Sequence, residues 1–93
     1  MPVEVRLPTL LRPAAGGAPS ATVDGSTVGE VLHSLEVVHP GLAGQLLTDD
    51  GSLHRFVNVY LNDDDVRYLD RLDTAVTNGD VLSILPAVAG GAQ

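Results

Sequence analysis

The chain contains no cysteine, which excludes a disulfide framework, a thiolate metal site and a cysteine nucleophile. It contains no lysine either. All five basic residues are arginine, namely Arg6, Arg12, Arg55, Arg67 and Arg71. Schiff-base chemistry, a phosphate-loop lysine and conjugation onto a side chain of this protein are therefore excluded. Positive charge is scarce as a whole: twelve acids set against five arginines give a formal net charge of −7. Phosphate backbones and anionic lipid repel such a surface, so neither nucleic acid nor membrane is expected as a partner, and basic protein surfaces are. No run approaches the ~20 apolar residues of a membrane-spanning helix. The opening "MPVEVRLP" has neither the basic start nor the apolar run of a secretory signal. A cytoplasmic location is the expectation.

Ninety-three residues suit one domain. A chain of this length buries roughly 60–65% of its unfolded surface, enough for a small core without staples. "VEVRL" (Val3 to Leu7) alternates apolar and polar residues and predicts a half-buried strand. "PTLLRPAAGGAP" follows, dense in proline and glycine, and reads as a loop or turn. "SATVDG" (Ser20 to Gly25) suggests a second strand pairing back on the first, the hairpin closed at Asp24-Gly25. Thr27 and Glu30 then match a capping box, and Val28, Val31, Leu32 and Leu35 form one apolar stripe. These predict a helix from about Val28 to Val38, stopped by His39-Pro40-Gly41, with a short helical turn in "LAGQLL" before the polar break "TDDGS".

"HRFVNVYLN" (His54 to Asn62) is the strongest strand, β-branched and aromatic residues in strict alternation. "DDD" predicts a turn, "VRYL" a short return strand, and "TNGD" a turn leading into the last strand, "VLSILPAV" (Val81 to Val88). Two strands, one helix, then further strands describe an α+β domain, a mixed sheet packed on one main helix. The economical arrangement is the β-grasp, or ubiquitin-like, fold, with the last strand central beside the first. The expected core is Val5, Leu7, Val31, Leu32, Leu35, Val57, Val59, Leu61, Leu82 and Ile84. Residues 1–89 are expected to form this domain and residues 90–93 a flexible tail.

No catalytic constellation emerges. His33, His39 and His54 are scattered, without metal-ligand spacing. Asp63-Asp64-Asp65 lacks the alternating oxygens and distal glutamate of a calcium loop. Gly16-Gly17 lacks the context of a dinucleotide site, and no serine sits in a nucleophile elbow. No bound metal or cofactor is expected. The strand faces say more. With Val57, Val59 and Leu61 inward, Phe56, Asn58, Tyr60 and Asn62 point outward, joined by Ser83 and Leu85 of the last strand. Phe56, Tyr60 and Leu85 predict an apolar docking patch on the open sheet face, the alternative being that residues 8–19 cover it. Beyond it the chain runs into Gly90-Gly91, and glycines let a tail thread a narrow channel where a Cβ collides.

"FVNVYLNDDDVRYLD" (Phe56 to Asp70) and "TNGDVLSILPAVAGG" (Thr77 to Gly91), on this strand order, resemble the MoaD/ThiS family of prokaryotic sulfur carriers. "LHRFVNVYLNDDDVR" and "ILPAVAGG" are most similar to its CysO-type members from actinobacteria. The resemblance spans the whole chain and is strongest from Leu53 to Gly91. It implies that the carrier supplies no catalytic side chain. An E1-like adenylyltransferase of the MoeB/ThiF kind uses ATP to adenylate the terminal glycine, and sulfur displaces AMP to give a thiocarboxylate. Gly91 would bear that group, with Gly90 slim enough for the channel. Pro86, Ala87, Val88 and Ala89 would join Phe56, Tyr60 and Leu85 in contacting partners.

One departure matters: Ala92-Gln93 follow Gly91 and deny it a free carboxylate. The resemblance implies removal by a JAMM-type zinc peptidase, so that Gly91, Ala92 and Gln93 form a processing site; a cloning remnant is the competing explanation. The sulfur acceptor would be a synthase, cysteine synthase-like or ThiG-like, served by a monomeric carrier that docks transiently. Two other functions fit the same residues: a ubiquitin-like modifier joined to other proteins through Gly91, and a β-grasp interaction module with an inert tail.

Overall fold

The structure, a computed structural model, describes residues 2–54 and 57–86. Six elements follow in order: β1 (Pro2–Arg6), β2 (Ser20–Asp24), α1 (Val28–Val38), β3 (Val57–Leu61), β4 (Asp64–Asp65) and β5 (Val81–Pro86). They build one five-stranded sheet in the order β2-β1-β5-β3-β4. β1 runs parallel to β5, and every other neighbouring pair is antiparallel. This is the mixed sheet expected from the sequence, with β5 central.

α1 begins and ends where its sequence signals lie. Thr27 is the N-cap, its Oγ1 accepting from Glu30 N at 3.2 Å, while Glu30 Oε1 accepts from Ser26 N at 2.9 Å. The reciprocal bonds satisfy two of the donors that every helix start leaves free. The stripe Val28, Val31, Leu32 and Leu35 is completely buried. It packs into one cluster with Val3, Val5, Val59, Leu82 and Ile84 of the sheet. Each such side chain contributes about 1.5–3 kcal/mol on burial. Of the core expected from the sequence, Leu61 alone is only partly buried, because β3 ends there at the rim of the sheet. Gly25 is needed for close packing: a Cβ there would lie 2.8 Å from Val31 N, inside contact distance of the helix backbone.

Three connections differ from expectation. Residues Thr9–Ala15 form a 3₁₀ helix with Pro13 inside it, because Leu11 and Ala15 anchor the segment in the core. That segment is also the connection between β1 and β2, so Asp24-Gly25 does not close the hairpin; it leads β2 into α1. The return strand is Asp64–Asp65, not "VRYL". Val66 is drawn fully into the core, and the Asp65 carboxylate accepts from Arg67 N at 2.9 Å, turning Val66–Tyr68 into a 3₁₀ turn. Burial and local side-chain bonding override the strand propensity of Val and Tyr there. "LAGQLL" has its helical turn slightly earlier, at Pro40–Leu42, with Leu42 and Leu46 buried. His54 precedes β3 rather than opening it.

Candidate functional site

Strand pairing settles the composition of the outer sheet face. Arg6 lies opposite Ser83, Ser83 opposite Tyr60, and Tyr60 opposite Asp65, so these four form one row across the sheet. Leu85 lies opposite Asn58 in a neighbouring row. Val57 and Val59 are buried, so the alternation of β3 turns Asn58 and Tyr60 to this face, as the sequence indicated. In β5, Leu82 and Ile84 are buried while Leu85 keeps 45% of its surface exposed. Tyr60 is half-buried. Phe56, the third member of the expected patch, lies outside the described residues. Arg6 and Glu4 close the far side with a 3.0 Å ion pair. The face therefore passes from charged Glu4 and Arg6 at β1 to the uncharged Ser83, Leu85, Asn58 and Tyr60 at β5 and β3. Beside Leu85, Asn58 Oδ1 is buried with no hydrogen-bond partner among the described residues.

Leu85 also forms the lip of a groove that runs from the paired ends of β3 and β5 to the 3₁₀ helix at residues 9–15. The groove holds about 270 Å³ and is lined by Pro8, Leu10, Leu11, His54, Val57 and Ile84 among others. Leu10 is 76% exposed. Residues 8–19 therefore do not lie over Leu85 as a cover; they extend the apolar surface beside it. Leu10 and Leu11 escaped the sequence reading because the surrounding prolines and glycines marked the stretch as a loop. Two consecutive leucines in such a stretch were the available signal.

The C-terminal end of β5 enters this surface at a fixed register. Asn62, in left-handed conformation at φ 56°, donates its N–H to Val81 O at 2.7 Å and accepts from Val81 N through Oδ1 at 3.2 Å. Asp80 accepts from Thr77 N at 2.9 Å and Thr77 Oγ1 at 3.2 Å, and Glu4 N donates to its carbonyl at 3.3 Å. The hydrogen bond from the Thr77 backbone is the main reason that the Asp80 carboxyl titrates below its ordinary 3.8. β5 is thus pinned at its start against both β1 and β3, which fixes which side chains face outward at its end. Pro86 pairs with Val57 as the last described residue. Ala87, Val88, Ala89, Gly90, Gly91, Ala92 and Gln93 lie outside the described residues. Among the described residues no group of three or more His, Asp or Glu side chains is placed to hold a metal ion, and no helix is long and apolar enough to cross a membrane.

A family profile described as the ThiS family matches residues 5–91. The chain belongs to the ThiS family. It is 48% identical over 93 residues to the sulfur carrier protein CysO of Mycobacterium tuberculosis, covering 98% of this chain and all of that one. The small archaeal modifier protein 3 of Haloferax volcanii is also 48% identical, over 68 residues that make up 73% of each chain. Among solved structures, a chain of the BexX/CysO complex from Amycolatopsis orientalis superimposes with a TM-score of 0.87 at 47% identity, covering 96% of this chain and 99% of that one. The β-grasp, ubiquitin-like fold and the likeness to CysO-type members of the ThiS family therefore stand together.

Proposed function

We propose that this protein is a sulfur carrier whose working group is the C-terminal glycine, Gly91. The observation that carries the reading is the near-full-length likeness, at 48% identity, to a protein named as a sulfur carrier, combined with a central strand that ends at Pro86 beside the apolar groove. A carboxylate is a poor electrophile. Adenylation by an E1-like enzyme of the MoeB/ThiF kind joins it to AMP from ATP, with release of pyrophosphate, so that the acyl carbon becomes electrophilic and AMP is its good leaving group. Sulfur then displaces AMP and leaves a thiocarboxylate, a nucleophile stable enough to be carried. In this reading the protein is a co-substrate rather than an enzyme, and its side chains serve docking: Tyr60 and Leu85 of the outer face, together with Phe56, Pro86, Ala87, Val88 and Ala89.

Ala92-Gln93 block that chemistry while they remain, since Gly91 is then held in a peptide bond. A JAMM-type zinc peptidase removes them in this proposal, and Gly90 and Gly91 leave room for both enzymes at the backbone. The acceptor is a synthase of the cysteine synthase-like or ThiG-like kind. A second reading, a modifier conjugated through Gly91, is supported by the identity with the protein named as a small archaeal modifier.

Intact mass measured on the protein from its native host tests the reading. A chain ending at Gly91 with sulfur in place of one carboxyl oxygen is expected. A chain that ends at Gly91 but is recovered only in isopeptide linkage to other proteins would favour the modifier. An untrimmed, unloaded chain under conditions of active sulfur assimilation would favour an inert interaction module.

A further inference from the structure

Asn78-Gly79 is the exposed tip of the turn that leads into β5. Asp80 N donates to Thr77 O at 3.0 Å across that turn, and Gly79 adopts φ 93°. The turn is held by its two ends. The Asp80 carboxylate accepts from Thr77 N at 2.9 Å, and Glu4 N of β1 donates to Asp80 O at 3.3 Å. Its tip is held by nothing: among the described residues, neither the Asn78 side chain nor the Gly79 N–H makes a hydrogen bond. No atom lies within 4 Å of the place a Cβ on Gly79 would occupy. A side-chain amide and the backbone nitrogen that follows it are thus both uncommitted and open to water. The other two asparagines of the chain are committed. Asn58 lies in β3 opposite Leu85 with its Oδ1 buried, and the branched Val59 follows it. Asn62 accepts from Val81 N through Oδ1 at 3.2 Å, and Asp63 follows it. Asp50-Gly51, an acidic counterpart of the same pair, is closed off as well. Gly51 N donates to Thr48 O at 2.9 Å, and the Asp50 carboxylate accepts from Ser52 N at 3.2 Å.

We infer that Asn78 is a site of spontaneous deamidation, with water as the co-reactant, and that its isoaspartyl product releases the start of β5. The Gly79 nitrogen gives up its proton to a base and bonds to Asn78 Cγ. The Cγ–Nδ2 bond breaks, and the side-chain nitrogen leaves as ammonia. Glycine is the residue that crowds this ring closure least, having no Cβ. The resulting succinimide takes up water. Breaking its bond between Cγ and the Gly79 nitrogen gives an ordinary aspartyl residue. Breaking its bond at the main-chain carbonyl instead routes the backbone through Cβ and Cγ, one atom longer, and frees the α-carboxylate. In sum an amide and water become a carboxylate and ammonium. A backbone one atom longer between Thr77 and Asp80 no longer fits the bonds that close the turn, and the new carboxylate repels that of Asp80. Because Asp80 O also holds Glu4 N, the loss reaches the pairing of β5 with β1.

The test is prolonged incubation of the folded full chain in warm, mildly alkaline buffer, followed by intact mass and peptide mapping. The mass gain of an amide-to-acid conversion is expected at Asn78, faster as pH rises, with both aspartyl and isoaspartyl products and no conversion at Asn58 or Asn62. Asn78→Gln, which removes no hydrogen bond from the fold, should stay at its starting mass. In the purified isoaspartyl fraction, amide hydrogen exchange at Glu4 and Val81 should be severalfold faster than in fresh protein, while Leu32 and Leu35 of α1 change much less. Conversion at Asn78 in the denatured chain but not in the folded one would overturn the inference, since the fold would then protect the pair. So would conversion at Asn58 or Asn62 ahead of Asn78, or an equal mass gain in the Asn78→Gln protein. Unchanged exchange at Glu4 and Val81 in the isoaspartyl fraction would contradict the release of β5.

Discussion

Asp80 and Asn62 hold the start of β5 from two sides, and the loss of either should be felt along the whole strand. The Asp80 carboxyl titrates below its ordinary 3.8, mainly through the hydrogen bond from Thr77 N, with Asn62 Nδ2 and the Thr77 hydroxyl adding to it. A depressed folded-state value means that its contribution to stability is complete above the unfolded value and is lost as pH falls through the folded one. Thermal melts of the wild type should therefore drop as pH falls below 3.8, and Asp80→Asn should be less stable at neutral pH with a shallower drop in that acid window. Equal pH slopes for the two proteins would show that the carboxylate does not act as a clamp. Tyr60 is the described residue on which the proposed docking rests most directly. Tyr60→Glu should leave the melting temperature nearly unchanged, since the side chain is on the outer face, and should slow activation of a chain ending at Gly91. Unchanged activation kinetics in the folded variant would remove Tyr60 from the docking face.

At the scale of elements, α1 carries the stability. Leu35 is fully buried at the centre of the cluster, so Leu35→Ala should cost about 2–5 kcal/mol, a large share of what a small domain has. Thr27→Ala should cost about 1 kcal/mol through the lost cap. Chemical denaturation measures both. These elements were legible in the sequence because several local signals agreed: cap, apolar stripe and stop coincide in α1, alternation marks β3, and an almost unbroken apolar run marks β5 as a central strand. Residues 8–19 and 66–69 were not legible in the same way. Pro13, Gly16 and Gly17 announce irregular backbone, yet they do not say that Leu11 and Ala15 will anchor a 3₁₀ helix, a fact decided only by the core it meets. Val66 and Tyr68 have strand propensity, but Asp65 caps a turn and Val66 is taken by the core instead. For the site, Tyr60 and Leu85 were readable from period-two alternation. The groove at Leu10 and Leu11 depends on segments brought together only by the fold.

Across the whole molecule, the charge and the sheet order act on the same end result. Twelve acids against five arginines favour approach by basic surfaces, so association with an activating enzyme should slow as salt screens the exposed charges. β5 is central and ends at Pro86, beside Leu85 and the groove, and in the proposed function this is where an enzyme handling Gly91 gains its footing. The most direct measurement of the central proposal compares two chains, the full-length protein and one ending at Gly91. Each is incubated with the cognate E1-like enzyme, ATP and sulfide, and thiocarboxylate is read by intact mass. The chain ending at Gly91 is expected to load, and the full-length protein to remain unloaded until a JAMM-type zinc peptidase releases the residues after Gly91. Loading of the untrimmed full-length protein would contradict the role of Ala92-Gln93 as a cap, and failure of the chain ending at Gly91 to load would contradict the sulfur-carrier function itself.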